Sequence, residues 1–81
     1  MYKILIVEDD ETIAGGLKNH LEKWNYQAEC MTDFKDVMGK FVDFEPQLVL
    51  LDIVLPFFNG FHWCQEIRKI SKVPIIFLSS A

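Results

Sequence analysis

The amino-acid sequence predicts an α/β fold, a parallel sheet with helices on both faces. Two observations carry this reading. Residues 3–7, 47–51 and 73–78 form short apolar runs rich in Ile, Leu and Val, as strands covered on both faces require. Segments with helical spacing of apolar residues lie between the runs, and strands alternating with helices make βαβ units. Right-handed crossovers then place the first helix on one sheet face and the second and third on the other. With 81 residues there is room for one domain, near the size where a lone core barely outweighs chain entropy.

The first strand, residues 3–7, stops at the acids Glu8 to Glu11. Ile13, Leu17, Leu21 and Trp24 then recur at steps of four, four and three, predicting a helix over residues 12–24 whose other face carries Lys18, Glu22 and Lys23. Gly15 and Gly16 weaken its first turns by up to ~1 kcal/mol each relative to Ala, and Asn25 is a terminator. Residues 26–31 alternate loosely and read as a weaker strand. Thr32 and Asp33 offer an N-cap for a second helix bearing Phe34, Val37, Met38, Phe41 and Val42, which must end before Pro46. Leu48 to Leu51 form the next strand, which also stops at an acid, Asp52. Pro56 to Gly60 has turn chemistry, with Asn59 and Gly60 supplying positions that tolerate positive φ. A third helix over residues 61–70 presents Phe61, Cys64, Ile67 and Ile70 on one face. The last strand, residues 73–78, runs into Ser79 and Ser80.

Hydrophobic residues at 51% and charged residues at 25% describe a globular chain, not a disordered or disulfide-stapled one. No apolar run approaches the ~18 residues of a membrane span, and the start lacks the features of a secretion signal, so the expected compartment is the cytoplasm, with no membrane partner. Cys30 and Cys64 are too few for a disulfide framework and too far apart for paired metal ligands, and each reads as a reduced, buried small hydrophobe. The net charge of −4 sits at one locus: without Glu8 to Glu11 and Asp52, seven acids face eight basic residues. Those basic residues are scattered, which excludes a nucleic-acid patch on this segment. No glycine-rich phosphate loop follows the first strand, and no Gly-x-Ser-x-Gly elbow is present. His20 and His62 read as surface or internally satisfied groups, and Trp24, Trp63 and the phenylalanines as packing.

In a parallel α/β sheet the residues that follow the strands collect along one carboxyl edge, where ligands bind. Three strand ends here carry Glu8-Asp9-Asp10, Asp52, and Ser79-Ser80. Taken singly each has a plain explanation: acids before a helix favour its positive end by ~0.3–1 kcal/mol, Asp52 can be a loop acid, and the serines can cap a helix. Together they leave unexplained why every polar strand end lies on the same edge. If the first and third strands are neighbours ~4.8 Å apart, Asp9 and Asp52 converge, and carboxylates so close raise each other's pKa unless a cation intervenes. Oxygen-only ligands suit Mg²⁺ or Mn²⁺.

These motifs, Ile-Leu-Ile-Val-Glu8-Asp9-Asp10, then Leu-Val-Leu-Leu-Asp52-Ile-Val-Leu-Pro56 with Asn59-Gly60, then Pro74-Ile-Ile-Phe-Leu-Ser79-Ser80, resemble the receiver domain of bacterial two-component response regulators. The match runs from Lys3 to the last residue and is closest to OmpR-type transcription regulators. Gly60 to Cys64 with Phe77 to Ser80 is similar to members that respond to cell-envelope peptide antibiotics. The resemblance implies a flavodoxin-like, doubly wound sheet of order 2-1-3-4, with Asp52 as phosphoacceptor from a sensor histidine kinase. It further implies Asp9 as a direct Mg²⁺ ligand beside Asp52, Glu8 acting mainly through water, the Val54 backbone carbonyl completing the metal's protein ligands, and Ser79 as the hydroxyl that reports the phosphoryl group.

Receivers of this family have a fifth strand bearing a lysine, two more helices and a DNA-binding domain, none of which residues 1–81 supply. The segment is therefore read as an N-terminal piece of a receiver, reaching DNA only through a C-terminal domain and prone to self-association. Such a chain is a signalling switch and not an enzyme. A haloacid-dehalogenase-type enzyme is nearly removed as a rival because position 54 is Val, where Asp-x-Asp is needed. An interaction module without phosphoryl chemistry is the alternative function.

Overall fold

The computed structural model describes residues 1–79, so the Ser80 reading lies outside the described residues. The elements are β1 (Lys3–Val7), α1 (Glu11–Lys23), β2 (Gln27–Cys30), α2 (Val37–Phe44), β3 (Leu48–Asp52), α3 (Gly60–Arg68) and β4 (Ile75–Leu78). All strand pairings are parallel, in the order β2-β1-β3-β4.

Alternation along the strands splits the core in two. Leu5, Val7, Val49 and Leu51 pack with Val37, Phe41 and Phe44 of α2 and with Trp63 and Ile67 of α3. Ile4, Ile6, Ala28 and Leu50 pack with Ala14 of α1. One helix on one face and two on the other is the arrangement right-handed crossovers require. Because Ile4 to Val7 and Val49 to Leu51 are buried on both faces, no polar residue stands within either run, and each run ends at an acid, Glu8 or Asp52. Full burial of one such aliphatic side chain contributes ~1.5–3 kcal/mol.

Several element readings need correction. Asp33 is not the cap of α2: its carboxylate accepts the Lys35 amide at 3.0 Å in a local turn, and Asp36 caps the helix through the Gly39 amide at 2.9 Å. Phe34 thus precedes the helix while still packing on the core, and Phe44 is buried where Val42 is exposed. In α3 the inward face is turned toward Trp63 and Ile67, leaving Phe61 and Ile70 exposed. On α1, Ala14 takes the inward position, while Ile13 and Trp24 are 42% and 69% exposed. The β4 strand is two residues shorter at its start than predicted and is not covered on both faces; as an edge strand it leaves Ile76 52% exposed. Cys30 and Cys64 are free but only half-buried. His20 is exposed, and His62 is half-buried and stacked on Phe58. Asn25 ends α1 with φ 66, as its terminator role requires.

Candidate functional site

The site forms where β1 and β3 end side by side. Val7 is paired with Leu51, so the residues that follow, Glu8 just past β1 and Asp52 at the end of β3, stand at the same level. Both acids are nearly sealed from solvent, Glu8 at 5% and Asp52 at 3% exposure, whereas Asp9 is exposed. Each of the three offers a carboxylate oxygen, and these atoms lie within 4.8 Å of one another. The convergence inferred for Asp9 and Asp52 is therefore present, with Glu8 part of it.

The four consecutive acids divide their work. Asp10 is the N-cap of α1: its Oδ1 accepts the amides of Thr12 at 2.9 Å and Ile13 at 3.1 Å. Glu11 lies in the helix's first turn, where its charge meets the positive end of the dipole. Glu8 Oε2 accepts the Asp10 amide at 3.0 Å, which holds its side chain back toward the strand end. The plain helix-terminus explanation thus holds for Asp10 and Glu11, whereas Glu8 and Asp9 stand with Asp52 at the strand ends.

Asp52 is oriented by its own loop, since the Val54 amide donates to Asp52 Oδ1 at 3.3 Å. Val54 itself is 72% exposed. On the other side, Asp52 is paired with Leu78, so Ser79 follows at the next level; it is exposed and shares an opening with Glu8, Ile13 and Leu17. Among the described residues no lysine or arginine forms an ion pair with Glu8, Asp9 or Asp52. Burial is the main reason the Glu8 carboxyl is held above its ordinary range; the Asp10 amide opposes this, and the neighbouring Asp52 and Asp9 add to it.

This donor set fits a hard divalent cation. All three ligands are carboxylates, none is sulfur or imidazole, and their mutual repulsion is the kind a cation relieves.

The loop between β3 and α3 holds what sequence reasoning missed. Neither Asn59 nor Gly60 has positive φ; the left-handed residue is Phe57, at φ 69. Asn59 instead caps α3 through the His62 amide at 3.0 Å. Gly60 is needed for close approach to Asp52, and no signal in a single sequence separates that demand from ordinary turn chemistry.

Comparison with known proteins gives a consistent result. The response regulator receiver domain family matches residues 4–81. The chain is 52% identical over 80 residues to the uncharacterized transcriptional regulatory protein YvcP of Bacillus subtilis, covering 99% of this chain and 34% of that protein. It therefore spans about a third of the length of the curated relatives it matches. Among solved structures, the N-terminal domain of the nisin resistance regulator NsrR superposes with TM-score 0.92 at 48% identity, covering 100% of this chain and 68% of that one. Response regulator TrrA of Thermotoga maritima, solved with Mg²⁺-BeF, gives TM-score 0.90 at 33% identity, covering 100% and 71%. TrrA has also been solved in complex with the histidine kinase ThkA.

Proposed function

This chain belongs to the response regulator receiver domain family, and from that premise we propose that Asp52 is its phosphoacceptor, with Glu8, Asp9 and Asp52 holding Mg²⁺ or Mn²⁺. The observation that carries the proposal is the meeting of three carboxylates within 4.8 Å at the strand ends, with Asp52 nearly sealed from water. The Asp52 carboxylate attacks the phosphorus of a phosphohistidine; the new P–O bond gives an acyl phosphate as the P–N bond breaks, and the imidazole leaves and takes up a proton. Glu8, Asp9, Asp52 and the Val54 backbone carbonyl would hold the divalent cation, and its charge would offset that of the carboxylates and of a transferring phosphoryl group. The Val54 amide keeps the Asp52 carboxyl in one orientation. Ser79, at the adjacent strand end, donates its hydroxyl to a phosphoryl oxygen and carries the signal outward. Positioning and charge neutralisation suffice because phosphoryl transfer asks little covalent chemistry of the protein.

The phosphoryl source is a sensor histidine kinase, a reading supported by the TrrA–ThkA complex. The output is control of transcription through a DNA-binding domain, supported by the naming of YvcP as a transcriptional regulatory protein.

The test is incubation with acetyl phosphate and Mg²⁺, followed by intact mass over time. The 81-residue chain gains one phosphoryl group slowly, since no cationic side chain among the described residues pairs with the site acids, and Asp52→Asn gains none. No gain in the parent, or an equal gain in Asp52→Asn, overturns the reading.

Self-association of this 81-residue chain is a second proposal. It is supported by the outer edge of β4, unpaired among the described residues, and by an apolar groove beside α1, lined by Ile4, Leu21, Leu48, Leu50 and Ile76.

A further inference from the structure

Gly60 opens α3, is buried, and donates its backbone amide to the Ile53 carbonyl at 2.8 Å. A β-carbon built on it lies 2.2 Å from the Asp52 carbonyl oxygen and 3.0 Å from both the Asp52 carbonyl carbon and Ile53 Cα. All three are backbone atoms, so no change of rotamer makes room. Its φ is not positive, and close approach alone demands glycine here. Gly15 and Gly16, in contrast, have nothing within 4 Å of a built β-carbon.

The contact closes a loop. Residues 53–59 leave β3 after Asp52 and return to it at Gly60. Within the loop, the Phe58 amide donates to the Pro56 carbonyl at 2.9 Å across Phe57, whose φ of 69 is costly for a residue with a side chain. Asn59 Oδ1 ties the far end to α3. Val54, whose amide holds Asp52 Oδ1, rides on the same loop. An ordinary contact begins near 3.4 Å, so a side chain at position 60 must push α3 and the strand end apart by about 1 Å, enough to misplace reacting groups.

We propose that Gly60 is a positioning residue for Asp52: the absence of its side chain lets α3 seat on the end of β3, which sets the Asp52 carboxyl against the Val54 peptide. The inference rests on the phosphoacceptor reading above.

The experiment compares the parent with Gly60→Ala and with Val73→Ala, a core change just before β4, at a temperature where circular dichroism shows all three folded. Gly60→Ala weakens Mg²⁺ binding about ten-fold and slows acetyl phosphate labelling about ten-fold at saturating Mg²⁺. Val73→Ala changes either by less than about two-fold, although its melting temperature falls. In metal-free ¹H–¹⁵N spectra the Ile53 and Val54 amides move in Gly60→Ala and stay in place in Val73→Ala. Equal Mg²⁺ affinity in parent and Gly60→Ala, where the parent binds Mg²⁺, or an unmoved Val54 amide overturns the proposal. A parent that neither binds Mg²⁺ nor takes a phosphoryl group, while Val54 still responds to Gly60→Ala, removes the phosphoacceptor reading and leaves Gly60's hold on the Asp52 carboxyl standing. If Gly60→Ala does not fold, Asn59→Ala releases the same helix end without adding an atom near Asp52. A loss of Mg²⁺ affinity of about two-fold or more then supports the proposal, and unchanged affinity overturns it.

Discussion

At the carboxyl edge of the sheet, Glu8 is buried among atoms that solvate its charge poorly, and Asp52 stands beside it. Burial holds the Glu8 carboxyl above its ordinary value of 4.5. A raised folded pKa means the native state binds the proton more tightly than the unfolded chain. Stability is therefore lost as pH rises from 4.5 through the folded pKa and regained on acidification. Thermal melts in chelator across that window show this slope, and Glu8→Gln flattens it. Magnesium affinity runs the other way, rising with pH, because the cation competes with the proton. Asp9→Asn and Asp52→Asn each remove one member of the repelling cluster. Each raises metal-free stability by about 1 kcal/mol, roughly 4–8 °C in melting temperature, and abolishes stabilisation by Mg²⁺. A melting temperature that falls in both variants counts against the repulsion argument.

At the scale of elements, helix ends decide which acids are available to the site. Asp10 satisfies two of the unpaired amides that open α1. Asp10→Ala lowers stability by ~1 kcal/mol in urea unfolding and leaves the Mg²⁺ dissociation constant within about two-fold; a ten-fold weakening would make Asp10 a ligand instead. The sequence order of elements was legible because three of the four strands are built on continuous apolar runs, β2 alternates loosely, and each helix has its own period. Cap positions were legible only to within a few residues. Thr32, Asp33 and Asp36 are all competent N-caps by residue type, and the choice of Asp36 depends on Phe34, Phe41 and Phe44 finding places in one cluster. The inward face of α3 was misjudged for a similar reason. Trp63 was available to fill the space beside α2, and its edge contacts with Phe58 and His62 lie under the β3–α3 loop.

For the whole molecule, one helix covers the α1 face of a four-stranded sheet, and the outer edge of β4 is unpaired among the described residues. Burial of a few hundred Å² of such apolar surface is worth several kcal/mol before entropy costs, at ~25 cal/mol per Å². Light scattering of the 81-residue chain at high concentration is expected to show a dimer or larger species, and Ile76→Lys to reduce it toward monomer; a monodisperse monomer refutes self-association. Magnesium at ten times its dissociation constant adds ~1.4 kcal/mol to folding stability, so identical melts with and without it refute the cation site. The amino-acid sequence by itself determined the α/β class, the parallel sheet and the chemistry gathered at its edge, because strand direction alone sends every strand-end residue the same way. Only the tertiary structure decided that Asp10 and Glu11 serve the helix, and that Gly60 must lack a side chain. Those outcomes depend on distances between β1, β3 and α3, elements as much as two thirds of the chain apart, which no local pattern of residues encodes.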